Sequence, residues 1–160
     1  KDFTSNEQVS AQVSIDEVLN DTELMDWNQE AQSEIDIIRA QLQDAVGLTD
    51  DEIIEIPIIF EQTGYGMVAY SPGTVNLLAF GDYVVHPDPF GPQINGEDMW
   101  KTDLGARLGT SVNALGAEGN GLNVYYTDDW YYYHILDGEV HCGSNPEAPP
   151  SDAAWWEVSR

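Results

Sequence analysis

A run of apolar residues spaced three and four apart is the feature that most constrains the fold of this chain. These residues are Leu24, Trp27, Ala31, Ile35, Ile38, Leu42 and Ala45. Their spacing places them in one stripe along an α-helix. Asn20, Asp21 and Thr22 offer caps at the start of this helix, and Gly47 lies where a helix stops. The pattern therefore predicts one long helix between these caps and Gly47.

Shorter elements are predicted on both sides of the long helix. Ser14 and Glu17 have the spacing of a capping box, which predicts a short helix before it. After it, Ile54, Ile56, Ile58 and Phe60 alternate, which predicts a strand with one face wholly buried. Pro57 points the other way and indicates an edge strand or a strand end.

The rest of the chain alternates between loops, strands and one further helix. Residues 62–73 predict a loop, residues 87–92 a rigid proline-rich loop, and residues 75–80, 83–85 and 122–126 strands. Met99, Trp100, Leu104 and Leu108 predict a helix after the Asn95-Gly96 pair. This order of helices and strands is typical of a mixed α/β domain.

The chain carries a large negative charge. Asp and Glu number 29 against 5 Lys and Arg, the formal net charge is −24, and 42% of the 160 residues are hydrophobic. One compact domain is therefore expected, with a field that repels phosphates and anionic membranes and attracts cations. We expect no nucleic-acid and no membrane partner, and favour calcium or an arginine-containing peptide. An acidic surface that only maintains solubility would have the same composition.

The beginning of the chain carries two signs of processing. The chain starts at Lys1 rather than at a methionine, and its first residues are polar. Residues 1–20 are therefore predicted to be a polar segment at a cleavage site, in a mature product or a piece cut from something longer. Asn20-Asp21-Thr22 forms a glycosylation sequon that a secreted protein could use. A secreted or extracellular location is the resulting expectation.

A single cysteine is the strongest candidate for chemistry. Cys142 lies between His141 and Gly143 and can form no internal disulfide. A nucleophilic thiol needs a proton partner nearby and room for a substrate to approach, and these two neighbours offer both. A buried inert cysteine is an equally good interpretation of the local sequence.

The segment from Gly138 to Asn145, which reads Gly-Glu-Val-His-Cys-Gly-Ser-Asn, closely resembles the nucleophile motif of protein-arginine deiminases. Other landmarks of that family resemble segments of this chain in the same order. They are residues 51–57, residues 75–78, the Pro-Phe-Gly-Pro loop at 89–92 followed by Asn95-Gly96, and the pair Trp155-Trp156. The resemblance extends from about Leu24 to the C-terminus.

The resemblance implies a fold and a reaction. The fold is the pentein, a five-module α/β propeller, of which residues 21–160 would form the C-terminal modules of the catalytic domain. The reaction is hydrolysis of peptidyl-arginine to peptidyl-citrulline and ammonia through a covalent thiouronium on Cys142. His141 would shape the motif, Glu139 would hydrogen-bond the loop, and Gly143 and Asn145 would support the nucleophile.

The resemblance also implies that part of the active site comes from elsewhere. The family's catalytic Asp and His-x-Asp precede the nucleophile, so an N-terminal chain of the same enzyme is expected to supply them. His86-Pro87-Asp88 has this spacing but falls just before the proline loop, and is predicted to be a surface or turn feature. The calcium ligands of the animal enzymes map upstream, so no cofactor or metal site is expected in this chain, although the whole enzyme could bind calcium.

Two other functions remain open from the sequence. Leu136 occupies a position where some family members have an arginine that contacts the substrate peptide, which leaves a deiminase of free arginine or of another small guanidino compound possible. The second open function is a non-catalytic acidic binding module, in which the aromatic residues 130–133 form the docking surface. These aromatic residues are more typical of a core, and Asp128 and Asp129 of a turn cap.

Overall fold

The computed structural model describes residues 12–109 and 119–147, which form a mixed α/β arrangement. In these ranges the helices are α1 (Ile15–Asn20), α2 (Thr22–Val46) and α3 (Met99–Leu108). The strands are β1 (Phe60–Thr63), β2 (Gly66–Ala69), β3 (Leu78–Phe80), β4 (Tyr83–Pro87), β5 (Gln93–Ile94), β6 (Glu97–Asp98) and β7 (Asn123–Thr127). None of these helices is long and apolar enough to cross a membrane. The predicted tryptophan pair at 155–156 lies outside the described residues.

The predicted ends of the long helix are confirmed. The Asp21 side chain accepts a hydrogen bond from the Leu24 N–H at 3.0 Å, and Gly47 ends the helix at φ 75° with its N–H on the Gln43 carbonyl. Ser14 and Glu17 form the predicted capping box of α1. These helix ends are set by local hydrogen bonds, which is why the sequence alone could locate them.

The apolar stripe of α2 is covered only along its first half. Leu24 and Ala31 are buried, whereas Ile38 is 60% exposed and Leu42 49% exposed. The first half packs against β1, which forms an antiparallel hairpin with β2. The helical periodicity was therefore a sound prediction of secondary structure, but only part of the stripe is buried by the described residues.

Two predictions between α2 and β4 are wrong. Residues 54–58 are half-buried or exposed and form no strand, which begins only at Phe60. Pro57 explains this, since it has no N–H with which to pair a neighbouring strand. Residues 62–73 do not form a simple loop, because β1 turns at Gly64 and Tyr65 into β2. Val75 and Asn76 lie in a turn, and the next strand is limited to residues 78–80.

A three-stranded sheet organises the second half of the described structure. Its order is β3-β4-β7, with β3 antiparallel and β7 parallel to β4. The predicted strands at 83–85 and 122–126 are confirmed, and each runs to a slightly later residue. Because β4 and β7 run parallel, the residues that follow β4 and the residues that follow β7 leave the sheet at the same end of its strands.

The proline-rich loop after β4 is ordered by the start of α3. Asp98 caps α3 through the N–H groups of Trp100 and Lys101, and its other oxygen accepts the Gly91 N–H at 2.7 Å. A Cβ on Gly91 would lie 2.6 Å from the Asp98 carboxylate, so only glycine fits there. The predicted helix at 99–108 is confirmed, and the loop predicted at 87–92 is confirmed except for Pro87, which is the last residue of β4. Pro87 and Pro89 are fully buried in this region.

One amide side chain joins α2 to the β1–β2 hairpin. The Asn28 side chain accepts the Phe60 N–H at 2.8 Å and donates to the Phe60 carbonyl at 2.9 Å. It also donates to the Leu24 carbonyl within its own helix. This side chain therefore satisfies both backbone groups of Phe60 at the start of β1.

Substitution of Asn28 by alanine is expected to destabilise the protein by about 1–3 kcal/mol, because both Phe60 groups lose their partner in a partly buried place. Urea unfolding followed by circular dichroism measures the change. Gln32→Ala is the control, since Gln32 makes an exposed bond to Asp36 on the same helix. Equal unfolding midpoints for the two variants would contradict the assigned role.

Candidate active site

Cys142 lies in an exposed turn after β7. The chain passes from β7 through Asp129 and the short 3₁₀ helix His134–Leu136 to a turn that spans Glu139–Ser144. The Gly143 N–H donates to the Glu139 carbonyl at 3.2 Å, and the Ser144 N–H and hydroxyl both donate to the His141 carbonyl. The thiol is free and exposed. The interpretation of Cys142 as a buried inert residue is therefore wrong.

Asn76 brings a second turn against the cysteine. Its Nδ2 donates to Cys142 Sγ at 3.4 Å, and its Oδ1 accepts the His141 N–H at 2.9 Å. Asn76 lies in the turn that begins at Gly73, and its own N–H donates to the Gly73 carbonyl. Sequence analysis assigned Asn76 to a strand and missed it as a site residue. Its contact with Cys142 joins residues 66 positions apart, for which local sequence carries no signal.

The hydrogen bonds at the sulfur favour the thiolate. A backbone hydrogen bond from Glu139 and the side-chain hydrogen bond from Asn76 lower the pKa of the Cys142 thiol, and slight desolvation and the Glu139 charge act weakly against them. Donors that point at a sulfur stabilise its anion more than its neutral form. An exposed cysteine with a lowered pKa has the properties of a nucleophile.

The Glu139 side chain holds the loop from within. It is buried, and its Oε1 accepts the Gly73 N–H at 3.1 Å. The same oxygen lies 2.9 Å from Nδ1 of the buried His134. In the tautomer that carries its proton on Nδ1, His134 donates to this oxygen as a second donor beside the Gly73 N–H. Glu139, which is 7% exposed, therefore connects the Cys142 turn to the Gly73 turn.

Asp129 is buried beside Glu139. It is 4% exposed, and both of its carboxylate oxygens lack a hydrogen-bond partner among the described residues, as does Oε2 of Glu139. Burial, with the nearby Glu139 charge, raises the pKa of Asp129 to about 6. Asp128 caps a turn through the Trp130 N–H, as predicted, but the prediction was wrong for the Asp129 side chain.

The other predicted site residues surround the thiol in different ways. His141 is exposed and takes part through its backbone groups, and Asn145 is exposed just after the turn. Gly143 packs against the Tyr133 ring, since a Cβ there would lie 2.2 Å from Tyr133 Cζ. The aromatic residues 131–133 are exposed, with Tyr132 at 79%, so their interpretation as core is wrong.

His86 is not the surface or turn feature that sequence analysis predicted. It lies on β4 with 0% exposure, and Nδ1 donates to the Thr74 carbonyl at 2.6 Å. Burial lowers the pKa of His86, so the ring is neutral. Asp88 pairs with Lys101 instead of with the histidine. The turn that holds Asn76 therefore rests on His86 through Thr74, and this His-x-Asp is occupied by structural contacts.

A shallow cleft of about 260 Å³ opens beside the two turns. Asn76, His134, Asp137 and Glu139 form its polar wall, opposite apolar residues of the β1–β2 hairpin and the segment before it. In the ranges that the structure describes, no three His, Cys, Asp or Glu side chains are grouped closely enough to hold a metal ion.

Comparison with known proteins assigns the class. Residues 1–157 match the family model of protein-arginine deiminase, and the chain belongs to this family. Protein-arginine deiminase type-3 of Mus musculus is 38% identical over 146 residues, which are 91% of this chain and 21% of the relative. Type-3 of Homo sapiens is 37% identical over 96% of this chain and 22% of the relative, and type-4 of Mus musculus 35% identical over 91% and 21%. The chain thus spans about a fifth of the length of these relatives.

Replacing Asn76 is expected to raise the pKa of the Cys142 thiol, because a donor to the sulfur is lost. Asn76→Asp should raise it more than Asn76→Ala, since aspartate keeps the acceptor for the His141 N–H but replaces the donor by a negative charge. The pH dependence of the iodoacetamide alkylation rate measures this. Asn20→Ala, at the end of α1, is the control. An unchanged thiol pKa in both Asn76 variants would show that the contact does not act on the sulfur.

Gly143→Ala is expected to destabilise the turn by about 1–3 kcal/mol, because the added methyl group overlaps the Tyr133 ring. The double variant Gly143→Ala/Tyr133→Ala should recover much of this loss, which unfolding and the alkylation rate both report. Gly64→Ala is the matched control, since a Cβ there meets nothing within 4 Å. Additive losses in the double variant would mean that the two residues do not meet.

Proposed function

We propose that this chain supplies the nucleophile of an enzyme that converts peptidyl-arginine to peptidyl-citrulline and ammonia. The observation that carries the proposal is the pair of hydrogen bonds, from Asn76 and from the Glu139 backbone, to the sulfur of the one cysteine in the sequence. The relatives are named protein-arginine deiminases, and the family model covers nearly the whole chain. The strongly acidic composition favours encounter with a cationic substrate.

The chemistry follows from a thiolate and a planar cation. The Cys142 thiolate attacks the central carbon of the guanidinium and forms a C–S bond. One C–N bond then breaks, and its nitrogen takes a proton from an acid and leaves as ammonia, which gives the covalent thiouronium. Water adds to the same carbon and returns a proton to that acid. The C–S bond breaks, the remaining hydroxyl proton passes to solvent and protonates the released ammonia, citrulline leaves, and the sulfur is again a thiolate.

The groups that grip the guanidinium and move its protons are assigned to another chain. The sequence contains three histidines. His86 and His134 are buried and donate to Thr74 and Glu139, and His141 takes part in the turn through its backbone. We therefore assign the Asp and His-x-Asp to an N-terminal chain of a cleaved or two-chain enzyme, in which residues 21–160 form the C-terminal modules of a pentein fold. Calcium, if the whole enzyme needs it, would bind outside the described residues.

A small guanidino compound is the second candidate substrate, and Leu136 favours it. This side chain is 66% exposed next to the nucleophile turn and offers a peptide no hydrogen bond. Turnover of a blocked arginine peptide against free arginine, in the assembled enzyme, separates the two substrates. The sequon at Asn20 supports a secreted location for either enzyme.

Cys142→Ser is expected to lower citrulline formation by at least about a thousandfold in the assembled protein, because a hydroxyl is a far weaker nucleophile than a thiolate. Colorimetric detection of citrulline and intact mass of a haloacetamidine-treated sample provide two readouts. Ser71→Ala, which leaves the thiol in place, is the control for handling and assembly. Full turnover by Cys142→Ser would refute the covalent mechanism, and absence of labelling at Cys142 in the unaltered protein would favour a binding module.

A further inference from the structure

Three buried polar side chains lie beneath the nucleophile turn and take no part in the chemistry described above. Asp129, His134 and Glu139 are each less than 10% exposed. They come from two places in the chain, since Asp129 follows β7 by two residues and Glu139 begins the Cys142 turn. Burial of two carboxyl groups side by side is costly unless protons or donors compensate for their charge.

The donors around Glu139 account for only one of its oxygens. The Gly73 N–H and His134 Nδ1 both donate to Oε1. Oε2 and both oxygens of Asp129 are buried without a donor among the described residues. The Glu139 carboxyl lies close enough to Asp129 for its charge to help raise the pKa of Asp129. Two neighbouring carboxyl groups without other donors can form a hydrogen bond to each other only when one of them carries a proton.

We propose that Asp129 and Glu139 share one buried proton, and that this proton positions the turn that carries Cys142. The inference rests on the proposed function only in treating the Cys142 turn as the part of the molecule that carries the nucleophile. With the proton in place, Glu139 keeps its bond to Gly73, and the Gly73 turn keeps Asn76 against the sulfur. Without it, two adjacent buried charges repel each other, and Glu139 is driven away from the turn that it anchors.

The charged and titratable groups that face the pair come from several elements, and one of them, Asp137, lines the same cleft as His134 and Glu139. His134 donates to Glu139 and acts favourably on the Asp129 charge. The Gly73 turn contributes a neutral N–H, and β4 contributes His86, whose Nδ1 is on the Thr74 carbonyl. The Glu139 charge also acts on Cys142, where it raises the pKa of the thiol. The side chains of Asp129, His134 and Glu139 are positioning groups, since Glu139 reaches the sulfur through its backbone and not through its carboxylate.

The proton also makes the turn sensitive to pH. Because Asp129 holds its proton more tightly in the folded protein than in the unfolded chain, its stabilising effect is present at low pH and is lost as pH rises through about 6. Above that pH the alkylation rate of Cys142 should rise more slowly than the growth of thiolate alone requires. The substitution Asp129→Asn, which introduces a permanent N–H donor and no charge, would remove this second titration.

Asp129→Asn and Asp129→Ala in the assembled protein test the proposal, with the alkylation rate of Cys142 by chloroacetamide measured from pH 5 to 8. Asp129→Asn should react as fast as the unaltered protein at pH 5 and lose the second titration near pH 6. Asp129→Ala, which leaves Glu139 Oε2 without a donor, should react at least about tenfold more slowly at pH 5, where the unaltered protein keeps the shared proton. Asp128→Asn is the control, because Asp128 is exposed and an amide oxygen can still accept the Trp130 N–H.

Two results would overturn the proposal. One is a pH profile of Asp129→Asn that superimposes on that of the unaltered protein over the whole range. The other is equal reactivity of the asparagine and alanine variants at pH 5. Because the alkylation rate reports on the thiol and not on substrate, a failure here is distinct from a failure of the proposed function, which Cys142→Ser tests by turnover.

Discussion

The hydrogen bonds of one amide side chain hold the candidate site together. Asn76 faces Cys142 with a donor and His141 with an acceptor, so its orientation is fixed by two different partners. This brings together two turns from distant parts of the chain, one before β3 and one after β7. Each turn is anchored a second time by the Glu139 carboxylate on Gly73. The sulfur is therefore exposed, while the Glu139 carboxylate that helps to fix its turn is buried. Buried hydrogen bonds of this kind can keep an accessible thiol in a fixed position.

Local sequence was sufficient wherever local hydrogen bonds decide the structure. The caps at Asp21 and Gly47 and the helix that begins after Asp98 follow from side chains within a few residues. The strand predicted at 54–58 failed because Pro57 interrupts the pairing that its apolar pattern favours. Similarly, a continuous strand from Val75 was wrong, because Asn76 lies in a turn that only its distant partners explain.

Some features of the candidate site could likewise be predicted from local sequence, and others could not. Cys142 stands out in the sequence because it is the one cysteine and lies in a recognisable family motif, and its role as nucleophile stays a prediction. The hydrogen bond of Glu139 within the loop region was expected from the same motif. Asn76 and Asp129 could not, because their roles depend on which segments meet in space. His86 was misjudged in another way. It was predicted to be a surface or turn residue, but it is buried and donates to the Thr74 carbonyl. Burial cannot be read from the spacing of His and Asp.

The large negative charge of the chain makes hydrogen-bond donors at the Cys142 sulfur more important for stabilising a thiolate. A net charge of −24 acts against any additional anion, including a thiolate. At physiological ionic strength, however, exposed charges more than about 8 Å away are largely screened. Hydrogen bonds to the sulfur act at contact distance and outweigh the distant field, which is why the pKa of Cys142 is lowered in a chain so acidic. An acidic chain can thus still stabilise a thiolate, because the donors that act on its sulfur are in direct contact with it.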